Sequence, residues 1–275
     1  MPHRPPRQLL LALLGDHVLD RADRPVRAAA IIAALEGAGV AEATTRASLA
    51  RLVRQGILVS EKRGREIAFR LTAAGVALLS EGDERVRGDR PFDSHGGGWT
   101  LVTFSIPEGR RALRHRVRST LTWQGFAPLR DGLWLAPGAV DLRRSLLPLS
   151  GELDEGAMVA FRARELEDFP IAASVRQAWD IDAIRAAHVG FARTWTGVDA
   201  AAVAARGGEL VARTELVADW LTLLGTDPGL PPEYMEDDWP AAASVRLYRR
   251  LRDELEAGAA AGFAELAGVE TALTE

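Results

Sequence analysis

Residues 42–55, EATTRASLARLVRQ, decide how the rest of the chain is read. At about 100° per residue on a helix, Thr44, Ser48, Arg51 and Gln55 recur at i, i+4, i+7 and i+11 and form one polar stripe. Leu49, Ala50, Leu52 and Val53 occupy the remaining face. Hydroxyls, a guanidinium and an amide on one ridge suit phosphates and base edges in a major groove. A polar stripe alone is usually a solvated face, so the parts around it carry the argument. GILVS and IAFRL read as two short strands, and the turn between them, EKRGRE, holds Lys62, Arg63 and Arg65. A helix followed by a hairpin with a basic tip is the pattern of a winged helix-turn-helix.

Working outward, Arg7 to Leu19 reads as a first helix with Leu9, Leu10, Leu13 and Leu14 at core spacing. Val26 to Glu36 reads as a second, with Ile31, Ile32 and Leu35 inward. Gly37 and Gly39 supply the tight connection that a helix-turn-helix needs. After the hairpin, Thr72 is placed to cap a further helix beginning LTAAG. DNA becomes the expected partner.

Composition bounds the alternatives. The 275 residues suffice for two or three domains with real cores. With no cysteine, disulfides and thiolate metal sites are excluded, and a reducing cytoplasm is the expected setting. The leucine run Leu9–Leu14 is too short for a signal peptide core and is followed by Asp16 and His17. No segment approaches the roughly 20 apolar residues of a membrane span. The net charge of −4 is unevenly spread. Residues 1–90 carry 15 Arg and Lys against 11 Asp and Glu, whereas residues 176–275 carry 9 against 17. The basic excess therefore sits on the segment with the DNA-binding pattern.

Glu81 to Gly98 is charged, glycine-rich and reads as a linker. Beyond it, WTLVTFSIP alternates as a strand and GRRALRHRVRSTLTWQG is an amphipathic helix with Leu113, Val117 and Leu121 on one side. FAPLRDGLWLAP gives two strands around Asp131-Gly132, a type I′ hairpin turn by composition. VDLRRSLLPLSGEL is a second helix that Pro148 must end or interrupt, and AMVAFRARE is a last strand. The order βαββαβ is that of a ferredoxin-like fold. From Ser174 onward the pattern is helical, broken by small residues near Ala200–Gly208 and by the loop DPGLPPEYMEDDWP. Leu230, Tyr234, Met235 and Trp239 make that loop too apolar for a solvated linker, so it should pack on its own domain. The expected fold class is α+β in three domains. Residues 1–90 form a winged helix-turn-helix, 91–173 a ferredoxin-like domain, and 174–275 a mostly helical domain.

Taken in order, GDHVL, GVAEATTRASLARLVRQGIL, KRGREIAFRLTAAG, WTLVTFSIPEGRR, TWQGFAPLRDGLWLAPG and DPGLPPEYMEDDWP resemble the PaaX family. Its members are transcriptional repressors of phenylacetate and related aromatic-acid degradation. The resemblance runs over almost the whole chain. It implies a homodimer on a palindromic operator, released by an aryl-acyl-CoA such as phenylacetyl-CoA. Two departures stand out. Ala41 occupies the expected N-cap of the recognition helix, where the family often has Ser or Thr. Ser105 ends a strand that in the family commonly ends in aspartate. The central domain also resembles the ferredoxin-like nuclease of CRISPR adaptation, whose metal-binding carboxylate sits at that place, so a metal-dependent nuclease lacks an obvious ligand here.

The expected DNA-contacting set is Thr44, Thr45, Arg46, Ser48, Arg51 and Gln55 on the helix, with Lys62, Arg63 and Arg65 on the hairpin. Arg51 leads because a guanidinium matches guanine O6 and N7 bidentately. Arg46 matches an arginine common in the family but turns toward the apolar side of the wheel. A DNA contact and a pairing with an acidic residue on a neighbouring helix are both open for it. For the implied effector, Arg110, Arg111, Arg114 and Arg130 are candidate cations, and Trp123, Trp134 and Trp179 candidate pocket walls. His115 and His188 lack partners at metal-ligand spacing. No dinucleotide fingerprint, phosphate loop or nucleophile–base set is present, so no cofactor, metal or catalytic residue is expected. A winged-helix module that docks proteins is the remaining alternative.

Overall fold

The computed structural model describes residues 4–268, except Arg65, His95, Asp131 and the side chain of Arg63. The order of elements is α1 (Pro6–His17), β1 (Val26–Arg27), α2 (Ala28–Gly37), α3 (Glu42–Arg54), β2 (Leu58–Arg63), β3 (Glu66–Leu71), α4 (Ala73–Arg87), β4 (Trp99–Phe104) and α5 (Arg111–Trp123). There follow β5 (Ala127–Arg130), β6 (Leu133–Pro137), α6 (Leu142–Leu146), β7 (Met158–Ala163), α7 (Ala172–Ala178), α8 (Ile181–Trp195), α9 (Ala200–Arg206), α10 (Glu209–Thr226) and α11 (Ala241–Ala267). Packing divides the chain into two compact units, where its sequence reads as three domains. One unit comprises 1–89, 191–222 and 243–275; the other comprises 90–190 and 223–242. The helices of the C-terminal segment are shared between the two units.

In the first unit, Pro6 opens α1, where a missing N–H costs nothing. Leu9, Leu10, Leu13 and Leu14 are buried as their spacing predicts. Val26 and Arg27 depart from the expected helix. They pair antiparallel with Phe69 and Ala68 of β3, which gives a three-stranded sheet in the order β1-β3-β2. A β-branched residue just after Pro25 suits a short edge strand better than a helix start. Between α2 and α3 the chain reverses on Gly39 at φ 78°, and the Val40 N–H donates to Leu35 O at 2.9 Å. Thr72 caps α4 as expected, accepting from the Gly75 N–H at 3.0 Å. Gly75 itself admits no side chain, because a Cβ there would lie 2.2 Å from Ile57 O.

The expected linker from Glu81 is helical as far as Arg87. Glu81 precedes Arg85 by four residues and Asp83 precedes Arg87 by four; the second pair meets at 2.7 Å. Such pairs support a helix that few apolar residues would sustain. The core joining α1, α2 and α3 also contains Leu210, Val217, Ala218 and Phe263, from α10 and α11. Buried ion pairs bind the same helices. Arg213 reaches Asp16 at 2.9 Å and the Arg252 carbonyl at 2.6 Å. Arg4 pairs with Glu215 at 2.9 Å and Asp219 at 2.7 Å, and Arg206 with Glu215 at 2.7 Å. The small-residue stretch near Ala200 is also a helix rather than a break. Alanine is the best helix former, Asp199 accepts from the Ala202 N–H at 2.8 Å, and Gly207 ends the helix at φ 106°.

The second unit holds a four-stranded antiparallel sheet in the order β5-β6-β4-β7. Its strands and helices follow in the chain as βαββαβ. Leu113, Val117 and Leu121 of α5 bury with Val102, Trp134 and Ala136 of the sheet. Pro148 ends α6, and a 3-10 turn over Leu147–Leu149 replaces the expected longer helix. The hairpin turn falls on Asp131, outside the described residues, and Gly132, at φ 74°. The proline loop packs within this second unit. Leu230 is buried with Trp99, Ala127, Leu135 and Val175, and Asp227 bonds the buried His188 Nε2 at 2.8 Å.

Candidate nucleic-acid interface

Ala41 stands at the N-cap of α3 and its side chain makes no capping bond, so Glu42 in the first turn is the group there that complements the helix N-terminus. Thr45, Leu49 and Leu52 bury the inner face, at i, i+4 and i+7. The opposite face carries Ala43, Thr44, Arg46, Ala47, Ala50, Arg51 and Arg54, all exposed, with Gln55 exposed beyond the last turn and Ser48 half-buried at the edge.

Three expectations change. Thr45 is fully buried, so its hydroxyl is not available to a partner outside the chain. Ala50 lies outward rather than on the apolar face. Arg46 is also outward, and it pairs with Glu42 of its own helix rather than with a neighbouring one. The outermost ridge is therefore Ala43, Ala47, Ala50 and Arg54, with Thr44 and Arg51 along one flank and Arg46 along the other. Arg54 was missed in the sequence because a basic residue in a last turn reads as a simple dipole partner. Neither Arg51 nor Arg54 forms an ion pair among the described residues.

The hairpin of β2 and β3 follows directly, in register from Leu58 opposite Leu71 to Arg63 opposite Glu66. Lys62 is exposed beside the tip, and Gly64 turns the chain at φ 62°. The side chain of Arg63 and the whole of Arg65 lie outside the described residues. Arg70 is held by Glu61 at 2.9 Å and is not free to act with the tip.

The candidate effector residues are not brought to one place. Arg110 is tied to Asp154 at 3.0 Å and to the Glu152 carbonyl. Arg111 meets Glu108 at 3.2 Å, and Arg114 donates to Ile106 O at 2.6 Å. Arg130 is exposed on β5. Trp134 is buried in the core under α5, and Trp179 stacks on Trp99 with ring centroids 6.1 Å apart. Trp123 alone lines an open groove of about 440 Å³, together with His115, Arg118, Ser119, Thr122 and Gly225. Ser105 is exposed just beyond β4, its N–H bonded to Ala157 O at 2.8 Å. Among the described residues no group of three His, Cys, Asp or Glu side chains could hold a metal ion. No helix among them is long and apolar enough to cross a membrane.

Comparison with known proteins matches three segments of the chain in turn. Residues 6–75 match the model of the PaaX-like protein family, and residues 93–168 that of the PaaX protein central Cas2-like domain. Residues 179–265 match the PaaX-like protein C-terminal domain. The transcriptional repressor PaaX of Escherichia coli (strain K12) is 25% identical over 259 residues, covering 88% of this chain and 79% of that one. A solved structure, the uncharacterized protein Rv0674 from Mycobacterium tuberculosis, aligns with TM-score 0.52 and 24% identity over 94% of this chain and 96% of that one, a likeness of fold. With three consecutive family models matched in order, the chain belongs to the PaaX family of transcriptional regulators.

Proposed function

We propose that this protein is a DNA-binding transcriptional repressor that inserts the outer face of α3 into a major groove. The observation that carries this reading is that face itself. It presents Thr44, Arg46, Arg51 and Arg54 around three alanines, and the hairpin with Lys62 follows it in the chain. In this reading residues 1–90 are a winged helix-turn-helix, with α2 and α3 as its helix pair and β2–β3 as its wing. The four-stranded sheet with its order β5-β6-β4-β7 is read as ferredoxin-like, in keeping with the Cas2-like family match. Thr44, Ser48, Arg51 and Gln55 would meet bases or phosphates. Lys62, Arg63 and Arg65 would grip the backbone without regard to sequence.

The similarity to a protein named a transcriptional repressor supports repression as the outcome. From the resemblance we further propose a homodimer on a palindromic operator, aromatic-acid catabolic genes as targets, and an acyl-CoA effector. The effector would favour a dimer whose recognition helices no longer match grooves about 34 Å apart. Ser105, in place of a carboxylate, supports regulation over metal-dependent cleavage in the central domain.

The test is a mobility shift with the duplex upstream of the protein's own gene, repeated across a salt titration. The repressor reading predicts a sequence-selective complex whose affinity falls with salt, by a slope of about 0.9 per phosphate neutralised. Equal affinity for that duplex and a shuffled one would refute it. Capture of a protein partner with no duplex binding would favour the docking module instead.

A further inference from the structure

Resting on the DNA-binding reading, we propose that Glu42 is a specificity-determining positioning residue that sets the Arg46 guanidinium to read a guanine. The Arg46 Nε donates to Glu42 Oε1 at 2.7 Å, and its Nη2 lies 2.6 Å from the same oxygen. One edge of the guanidinium is thereby occupied, and the Nη1–Nη2 end is left as a two-pronged donor. That end matches guanine O6 and N7. Both side chains are about half exposed, at 56% and 52%, so the pair adds little to stability. Its effect is on direction. On a helix, Arg46 also neighbours Ala43, Leu49 and Ala50; Leu49 is buried and the other two are only methyls. Glu42 is thus the one long polar side chain at helical spacing before Arg46 that can fix it.

The pair also stands in the first two turns of α3, the part of a recognition helix that contacts base edges. A carboxylate on a DNA-facing surface repels phosphate, so Glu42 would weaken binding unless its charge served Arg46. Arg51 and Arg54 lie farther along the helix, carry no such brace, and suit phosphates as well as bases.

The competing role is local. Glu42 could serve the helix N-terminus that Ala41 leaves uncapped, and then its loss would weaken every contact of α3 alike. The experiment therefore reads discrimination position by position. The full-length wild-type protein selects a duplex from a randomised pool, and each guanine in that duplex is replaced in turn by 7-deazaguanine, which lacks the N7 acceptor. Wild type should lose about 5- to 150-fold at one guanine per half-site. Arg46→Ala should lose the sensitivity at that guanine, and Arg46→Lys should not restore it. Glu42→Gln and Glu42→Ala should shrink the penalty there and leave the penalties at the other guanines as in wild type, alongside the small fall in thermal midpoint that loss of a carboxylate at a helix N-terminus brings. A full penalty retained in both Glu42 variants, or an Arg46→Ala profile equal to wild type, would overturn the proposal. Uniform weakening across all positions would assign Glu42 to helix stability and overturn it equally. Failure of the wild type to select any duplex is a different result and strikes the DNA-binding reading itself.

Discussion

His17 closes the first helix against Phe263, their rings stacked with centroids 5.0 Å apart. Burial pushes its imidazole down to about 4; Asp16 opposes that, and Arg213 and Arg21 add to it. The folded state therefore keeps His17 neutral where the unfolded chain, with an ordinary value of 6.5, takes up a proton. Stability is unaffected above that value and is lost as pH falls from 6.5 toward 4. At pH 5 the loss is about 2 kcal/mol. Urea melts at pH 7.5 and pH 5 should show it in the wild type and not in His17→Leu; equal slopes in both would contradict the assignment. Thr45 makes the opposite kind of test. Its Oγ1 is buried and finds no hydrogen-bond partner among the described residues. Thr45→Val should keep duplex affinity unchanged and raise stability by up to about 1 kcal/mol, measured by anisotropy and urea melts. A loss of affinity would return Thr45 to the interface. Threonine misled the sequence reading because its methyl suits a core position while its hydroxyl counts as polar.

At the scale of elements, α3 is incompletely capped. Ala41 sits at its N-cap with φ −59° and ψ 142°, a conformation in which a serine hydroxyl could accept from the first free N–H groups. Ala41→Ser should stabilise the protein by about 1 kcal/mol, seen as a rise of roughly 2–4 °C in a thermal melt. No rise would mean that the cap is not limiting. Long, strongly periodic elements such as α1, α5 and β4 were legible because burial imposes its period on their apolar residues. Two kinds of element were not. β1 is two residues long and exists only because β3 has an open edge to fill. The extension of α4 and the alanine-rich α9 hold together through charge pairs, a cap and propensity, none of which produces an apolar stripe. The orientation of α3 was legible to within part of a turn. Leu49 and Leu52 set its inner side, but Thr45 and Ala50 carry too weak a signal to centre the outer face.

Over the whole chain, the division into packing units was the least legible feature. An amphipathic helix announces that it has a partner and does not say which. Leu210, Val217 and Phe263 join the core of α1 to α3, and Arg4 and Asp16 form buried ion pairs with α10. Removing one side of such pairs leaves charges buried and uncompensated, at a cost of several kcal/mol. A fragment of residues 1–89 should therefore lack the cooperative thermal transition of the full chain; a sharp, native-like melt of the fragment would contradict the shared core. The same pairs alter the meaning of the charge count. Arg4 contributes to the basic excess of residues 1–90 yet is only 6% exposed at its side chain, and Glu215 and Asp219 are neutralised within the fold. The charge count of residues 1–90 therefore overstates the basic charge that Arg4 offers to a partner outside the chain.

Ala47 lies at the centre of the proposed contact face, exposed and with only a methyl for a side chain, so a carboxylate there should leave the core intact. Fluorescence anisotropy on the upstream duplex, with wild type, Ala47→Glu and the exposed control Ala112→Glu on α5, compares that face with an unrelated surface. Ala47→Glu should lose affinity on the order of a hundredfold, by bulk and by repulsion from phosphates, with its melting midpoint unchanged and the control binding as wild type. Wild-type affinity in Ala47→Glu would mean that α3 does not enter the groove.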